Sequence, residues 1–253
     1  MIGPSKLAGR LIQIGAVVAA LAIWYLATRH QVTKSLFFPP LAQVWQELVR
    51  LAQAPDSYSA IQVTLLTIAK AYGIAVLLGI FTAYLVTRSR WATQVFEPLL
   101  SNMFAVPLTL FLPVFILFFG IGANSKVAYG AAYGFFPVAL STIAGFSAVD
   151  SHYIKAARSM GANGWEMFRH VLLPAAMPIV FSGLRVALVI CFTSVLGGET
   201  ISSIAGVGRK IALSAELLET ARMYAWILFV VVLMASMNGL LSRLEAHRQE
   251  AAR

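Results

Sequence analysis

The sequence predicts an all-α polytopic membrane protein with about six transmembrane helices, and three observations predict it. Hydrophobic residues make up 59% of the 253 and charged residues 11%, at a mean hydropathy of +0.80. So little polar surface cannot coat a water-soluble globule of that size. The apolar residues fall in six separate runs, each near the roughly 20 helical residues that a hydrocarbon core requires. Between the runs the basic residues come in short groups rather than in one stripe with interleaved aromatics, so the formal charge of +9 reflects membrane topology and no nucleic-acid partner is expected.

The first run, near residues 10 to 28, has the charged start of a secretory signal and contains Ala20-Leu21-Ala22. It passes through that triplet to Trp24-Tyr25-Leu26, where interfacial aromatics end a retained span. Pro39-Pro40 then opens an amphipathic helix over 39 to 53, with Leu41, Val44, Trp45, Leu48 and Leu51 at helical spacing, expected along the outer membrane surface. The remaining spans are expected near 65 to 87, 98 to 120, 127 to 149, 177 to 197 and 223 to 241. With the N-terminus inside, ten basic residues fall in inner segments and seven in outer ones, Lys34 and Lys126 among the latter. That bias places both termini in the cytoplasm. No repeat and no low-complexity linker interrupts the chain, so one domain over 1–253 is expected.

Cys191 lies within an apolar run and has no second cysteine to pair with, and reads as a small packed hydrophobe. His30, His152, His170 and His247 are scattered, and no metal site is expected.

Residues 150 to 174 form the most informative polar segment. Asp150 or Ser151 can cap a helix on which Ile154, Ala157, Arg158 and Gly161 share a face, and the small Ala156, Ala157 and Gly161 permit close backbone approach. Gly161, Asn163 and Gly164 make a turn, after which Trp165, Phe168 and Leu172 form an apolar stripe opposite Glu166, Arg169 and His170. Two short helices joined by a turn are expected, with Pro174 and Pro178 governing re-entry into the bilayer.

Ionisable residues near membrane depth come next, because a charge left in lipid is expensive. Lys70 is read as snorkelling to the outer interface, and Arg185 as reaching the inner interface or a neighbouring helix end. Glu199 lies at a glycine-rich break where a span ends, and either gates a path or caps the following helix. Arg209 and Lys210 follow, as a source of positive potential at a pathway mouth or as contacts to headgroups or a partner protein. Pro107 and Pro113 within one span each remove a backbone donor and are expected to bend it. The aromatic group Phe111, Phe115, Phe118 and Phe119, with Phe135-Phe136, is read as lipid-facing or helix-packing.

The run Lys155-Ala156-Ala157, three residues, Gly161, nine residues, then Val171-Leu172-Leu173-Pro174 resembles the cytoplasmic Glu-Ala-Ala loop of bacterial ATP-binding-cassette (ABC) importer permeases, with Lys155 in place of the Glu. Phe38-Pro39-Pro40, Phe118-Phe119-Gly120-Ile121-Gly122, Gly183-Leu184-Arg185 and Gly198-Glu199-Thr200-Ile201 with Gly206-Val207-Gly208 are similar to the branch for nitrate, taurine and aliphatic sulfonates. Arg209 and Lys210 stand where that branch has an aromatic or aliphatic residue.

The resemblance implies a type I importer permease fold. It also implies a loop at 150–174 that docks on an ABC ATPase through Ile154, Lys155, Ala156, Ala157, Arg158, Gly161, Ala162, Trp165, Phe168, Leu173 and Pro174. The segment 198–222 would be an outer gate, with Glu199, Arg209, Lys210, Pro107 and Pro113 on or near the path. It further implies an extracytoplasmic solute-binding protein, a second permease copy, a bacterial inner-membrane location, and ATP with Mg held by the ATPase. No phosphate-binding Gly-x-x-x-x-Gly-Lys-Ser/Thr run occurs here, so this chain binds no nucleotide and is no enzyme. An ion-coupled secondary carrier is the competing class, but the spans offer neither an acidic pair nor a repeat. A membrane-embedded enzyme lacks its His-Glu-x-x-His or nucleophile and base.

Overall fold

The computed structural model describes residues 4–29 and 37–251. Among these residues the regular structure is entirely helical: α1 Pro4–Arg29, α2 Leu41–Gln53, α3 Pro55–Val86, α4 Arg90–Ala105, α5 Leu112–Phe119, α6 Ala123–Ser147, α7 Ser151–Ser159, α8 Gly164–Met167, α9 Leu173–Ile201, α10 Val207–Glu216 and α11 Thr220–Ala251. Helix is the expected answer in lipid, where each backbone donor and acceptor must be satisfied within its own segment. Pro55–Val86, Ala123–Ser147, Gly164–Ile201 and Thr220–Arg243 are long and apolar enough to cross a membrane, and the apolar part of α1, Gly15–Arg29, is shorter. Of the positions singled out above, His30 and Lys34 lie outside the described residues.

The span expected at 98 to 120 is not one straight helix. It is split into α4 and α5, which meet at a bend of 76° around a 3-10 turn at Leu108–Phe111. The cause is local. Pro107 has no N–H to donate, and its ring forces the preceding Val106 into an extended conformation (φ −71°, ψ 131°), so no α-turn can pass through the pair. Pro113 does not bend anything: it stands in the first turn of α5, where the missing donor would have had no intrahelical partner.

Two compact units make up the chain. One consists of Met1–Ser57 with Lys210–Val230, the other of Tyr58–Arg209 with Val231–Arg253. In the first, Trp24 stacks on Phe38 at 5.1 Å, Tyr224 closes the cluster, and the Trp24 indole N–H donates to the Pro39 carbonyl at 3.0 Å. The amphipathic α2 appears where its periodicity predicts it, with Val44 fully buried and Trp45 exposed. Its Glu47 pairs with Arg50 (2.6 Å) and Arg222 (3.3 Å), and Arg222 also pairs with Glu219 (2.5 Å).

In the second unit, α6 and α9 pack most closely. A Cβ on Gly183 would overlap the Ser141 side chain and lie 2.8 Å from the Pro137 carbonyl oxygen, and one on Gly134 would overlap the Cys191 sulfur. Cys191 is thus a packed hydrophobe, as expected, and its thiol donates to the Gly130 carbonyl at 3.4 Å. The core around this pair holds Ala83 and Val86 of α3, Leu100 of α4, Phe136, Ala139, Ile143 and Phe146 of α6, and Ala176 and Val180 of α9. One cation is placed otherwise than the sequence implied. Lys126, counted with the outer loops, is fully buried in the first turn of α6, where its Nζ donates to the Ile121 carbonyl at 2.6 Å. Arg185 donates from Nε to the Asn238 side chain of the neighbouring α11 at 2.7 Å.

Gly183→Ala must displace backbone, and overpacking of this kind costs ~1–3 kcal/mol. Gly73→Ala in α3 meets nothing within 4 Å and is expected to stabilise by about 0.5–1 kcal/mol through helix propensity. Thermal unfolding in detergent should lower the midpoint for the first variant and hold or raise it for the second; equal midpoints would contradict the α6–α9 contact.

Candidate functional site: the 150–174 loop and the α9–α10 corner

Asp150 caps α7, accepting from the His152 N–H at 2.8 Å. The helix ends at Met160, and Gly161 takes φ +81°, a left-handed conformation that glycine adopts without a Cβ penalty. That reversal lets the Ala162 N–H bond to the Ala157 carbonyl at 3.0 Å and satisfies the end of α7. Asn163 then caps α8 in a reciprocal arrangement: its side chain accepts from Trp165 and Glu166, while the Glu166 carboxylate accepts from the Asn163 N–H at 2.8 Å.

The second half of the loop is not a separate short helix. α8 runs through a π turn at Phe168–Leu172 directly into α9, making one helix from Gly164 to Ile201. Pro174, in the first turn of α9, has no N–H for the carbonyl a turn earlier, and the wider π turn keeps the axis continuous at that point. The expected re-entry at Pro174 is therefore a passage along one helix.

The side chains divide by face. Ala157 is 4% exposed and turns into the protein, so this member of the expected docking set packs inside rather than presenting its side chain. Lys155, Ala156, Arg158, Met160, Gly161 and Trp165 are exposed, and Ile154, Ala162, Phe168 and Leu173 are half-buried. Phe168 links the loop to the core, with Trp165 stacked on one side (5.5 Å) and Tyr84 and Phe146 edge-on at 4.7 and 6.0 Å. The Tyr84 hydroxyl also donates to the Gly164 carbonyl at 3.2 Å.

At the other end of α9, the break expected at Gly198 falls later, at Ser202 to Gly206. Gly198 is instead a packing position, where a Cβ would lie 3.1 Å from the buried Lys126 side chain. Glu199 is 2% exposed. The Thr64 hydroxyl of α3 lies 2.8 and 3.0 Å from its two oxygens, the Gly208 N–H donates to Oε2 at 2.9 Å, and the Val207 N–H donates to Thr64 Oγ1 at 2.8 Å. Two orphan donors at the start of α10 are thereby satisfied by one carboxylate and one hydroxyl. The capping reading of Glu199 is realised in this geometry. Gly206, at φ +106°, has no room for a side chain, because a Cβ would stand 2.5 Å from both carboxylate oxygens. Lys210 is not an unneutralised cation: it pairs with Asp56.

The family described as binding-protein-dependent transport system inner membrane component matches residues 75–249. The chain belongs to that family. It is 29% identical over 227 residues to the taurine transport system permease protein TauC of Escherichia coli, covering 88% of this chain and 82% of that one. To the riboflavin transport system permease protein RibX of Chloroflexus aurantiacus it is 31% identical over 158 residues, covering 61% of this chain and 59% of the relative. Among solved structures, a bacterial ABC transporter involved in the import of the polysaccharide alginate superposes with a TM-score of 0.67 at 12% identity, covering 96% of this chain and 98% of the other. An amino acid ABC transporter gives 0.61 at 22% identity, covering 81% and 97%.

The fold is that of a type I ABC importer permease, and this permease is a membrane subunit without catalytic activity. ATP hydrolysis lies with a separate subunit, and a solute-binding protein belongs to the same system. The permease's Thr64 escaped the sequence reading, although Thr64 and Thr67, one turn apart on an apolar helix and both buried, are the signal that marks a polar partner nearby. Lys126 escaped because nothing in its local sequence distinguishes a loop cation from one folded beneath a neighbouring helix.

Thr64→Val keeps the shape of the side chain but orphans the Val207 N–H and withdraws a donor from Glu199, at a cost of ~1–3 kcal/mol. Thr64→Ser should retain the contacts. A melting temperature unchanged in Thr64→Val would show that the corner is held by something else.

Proposed function

We propose that this permease and a second copy of it form the path of an importer for a small anion such as a sulfonate, taurine or nitrate. The loop 150–174 and both termini face the cytoplasm of a bacterial inner membrane, and the outer gate segment 198–222 lies on the far side. The ATPase holds ATP and Mg, and α7 with the exposed edge of α8 docks on it. The observation that carries this reading is the unbroken helix from Gly164 to Ile201. A displacement of the loop at one end is delivered without a hinge to Glu199 and the first turn of α10 at the other.

The relatives named for taurine and for aliphatic sulfonates support the anionic solute, and the sulfonate permease SsuC of E. coli is 30% identical over 162 residues. Because Asp56 balances Lys210, the gate rests on the Glu199 corner, with Arg209 beside it, rather than on a field from two cations. Val106-Pro107 supplies the irregular backbone that a path through the bilayer tolerates, and Pro113 only starts α5.

Proteoliposomes holding the permease, its ATPase and a lumenal or external binding protein should import labelled taurine only when ATP reaches the ATPase. Import by the permease alone, driven by an ion gradient, would instead make it a secondary carrier. Gly161 offers a sharper test of the loop. Gly161→Val forces a β-branched residue into the left-handed region, which costs ~1–2 kcal/mol or more and reshapes the turn, whereas asparagine tolerates that region. Nothing lies within 4 Å of the position, so bulk alone meets no obstacle inside the chain. ATP-driven uptake should fall by roughly tenfold in Gly161→Val, the factor that 1.4 kcal/mol represents, and persist in Gly161→Asn. Equal uptake by the two variants would remove the turn from the coupling mechanism.

A further inference from the structure

A cleft of about 410 Å³ lies between the last turn of α3 and the inner side of the loop, lined by Tyr84, Thr87, Arg88, Arg158, Gly164 and Met167 among others. No acidic residue lines it. Its two arginines differ from the cations of the other unit, where Arg50, Arg222 and Lys210 each meet a carboxylate. The Arg158 guanidinium has no hydrogen bond or ion pair among the described residues. The Arg88 guanidinium has only the Tyr84 ring, 4.6 Å beneath it, and the Tyr84 hydroxyl, to which Nη2 donates at 2.7 Å. That contact aims the guanidinium without neutralising it. The same Tyr84 is fixed by its bond to the Gly164 carbonyl, so Arg88 is held in place from the loop side as well.

We infer that this cleft binds a tetrahedral oxyanion, a phosphate ester or a sulfate, between Arg88 and Arg158. Two guanidiniums lining one cleft, with donors to spare, suit the forked geometry by which arginine recognises such groups. The volume is within the range of small-ligand sites. The position suits either of two sources. The apolar run of α3 ends at Val86, and Thr87, Arg88 and the exposed Trp91 follow, a basic and aromatic flank of the kind that borders a bilayer, so an anionic phospholipid can present its phosphate from the membrane side. A free anion can enter from water through the open side of the cleft. Either ligand joins α3 to α7 and so holds the loop against the membrane helices. The inference concerns the cleft alone and holds whichever solute the importer carries.

Full-length permease in nanodiscs, followed by amide hydrogen exchange, tests it. Three conditions are compared: phosphatidylcholine alone, phosphatidylcholine with phosphatidylglycerol, and phosphatidylcholine with sodium sulfate against sodium chloride at equal ionic strength. Exchange over 84–88 and 154–167 should slow by about threefold or more in the second or third condition. Protection by phosphatidylglycerol only assigns the ligand as a headgroup, protection by sulfate only assigns a free anion, and protection by both assigns a shared oxyanion site. Arg158→Gln should abolish the protection and Arg158→Lys retain part of it, while Lys155→Gln, an exposed cation outside the cleft, should leave it intact. Absence of protection by either probe overturns the inference, as does equal loss in Lys155→Gln, which would reduce the effect to general charge. Protection that arises only on adding the ATPase subunit also overturns it, because the cleft is then a protein-docking pocket.

Discussion

Lipid tails are as apolar as leucine, so apolar side chains gain little by leaving them for one another, and helices in a bilayer associate through close fit. In this permease the fit is made where α6 meets α9. Gly134 and Gly183 leave no Cβ in the interface, and Ser141, Cys191 and the Pro137 carbonyl occupy the space that a side chain would have filled. The other elements of this unit build on that pair: α3 brings Ala83 and Val86 to it, α4 brings Leu100, and the loop brings Phe168. Because α9 is the partner in this contact and also the continuation of α8, the element that carries the second half of the loop is the one most firmly set in the core.

The continuity of α8 with α9 joins two regions that differ in kind. At the loop, exposed backbone is satisfied by short-range devices: an aspartate cap, a left-handed glycine, and a reciprocal Asn163–Glu166 cap. At the far corner the satisfaction is long-range, since Thr64 comes from 135 residues away to meet Glu199. Short-range caps can form and break without disturbing the core. The buried corner cannot, because pulling the start of α10 away from Thr64 and Glu199 would orphan two backbone donors together. A loop that moves easily at one end and a corner that yields only as a whole at the other suit an element switching between two arrangements.

Local features of the site were legible before the structure. Asp150 as a cap, Gly161 in a turn, and the helix over Leu41–Gln53 follow from residue type and spacing within a few positions, and each is present. The third span was misread because hydropathy sees composition over 98 to 120 but not that Val106 must be extended ahead of Pro107. The inward turn of Ala157 was not legible for another reason. A small residue between exposed neighbours fits either face, and only the packing of α7 selects one.

By itself the sequence determined the membrane class, the helical content and the family, because these depend on average apolarity, on the obligation to pair backbone groups in lipid, and on a spaced motif that survives at modest identity. Tertiary structure alone decided the environments of the charged residues. Lys126 is buried, Lys210 is balanced by Asp56, Glu199 is bonded from α3, and Arg88 and Arg158 both line one cleft. The physical reason is that the state of a charge depends on what stands within a few ångströms of it, and in these cases the neighbours come from distant parts of the chain.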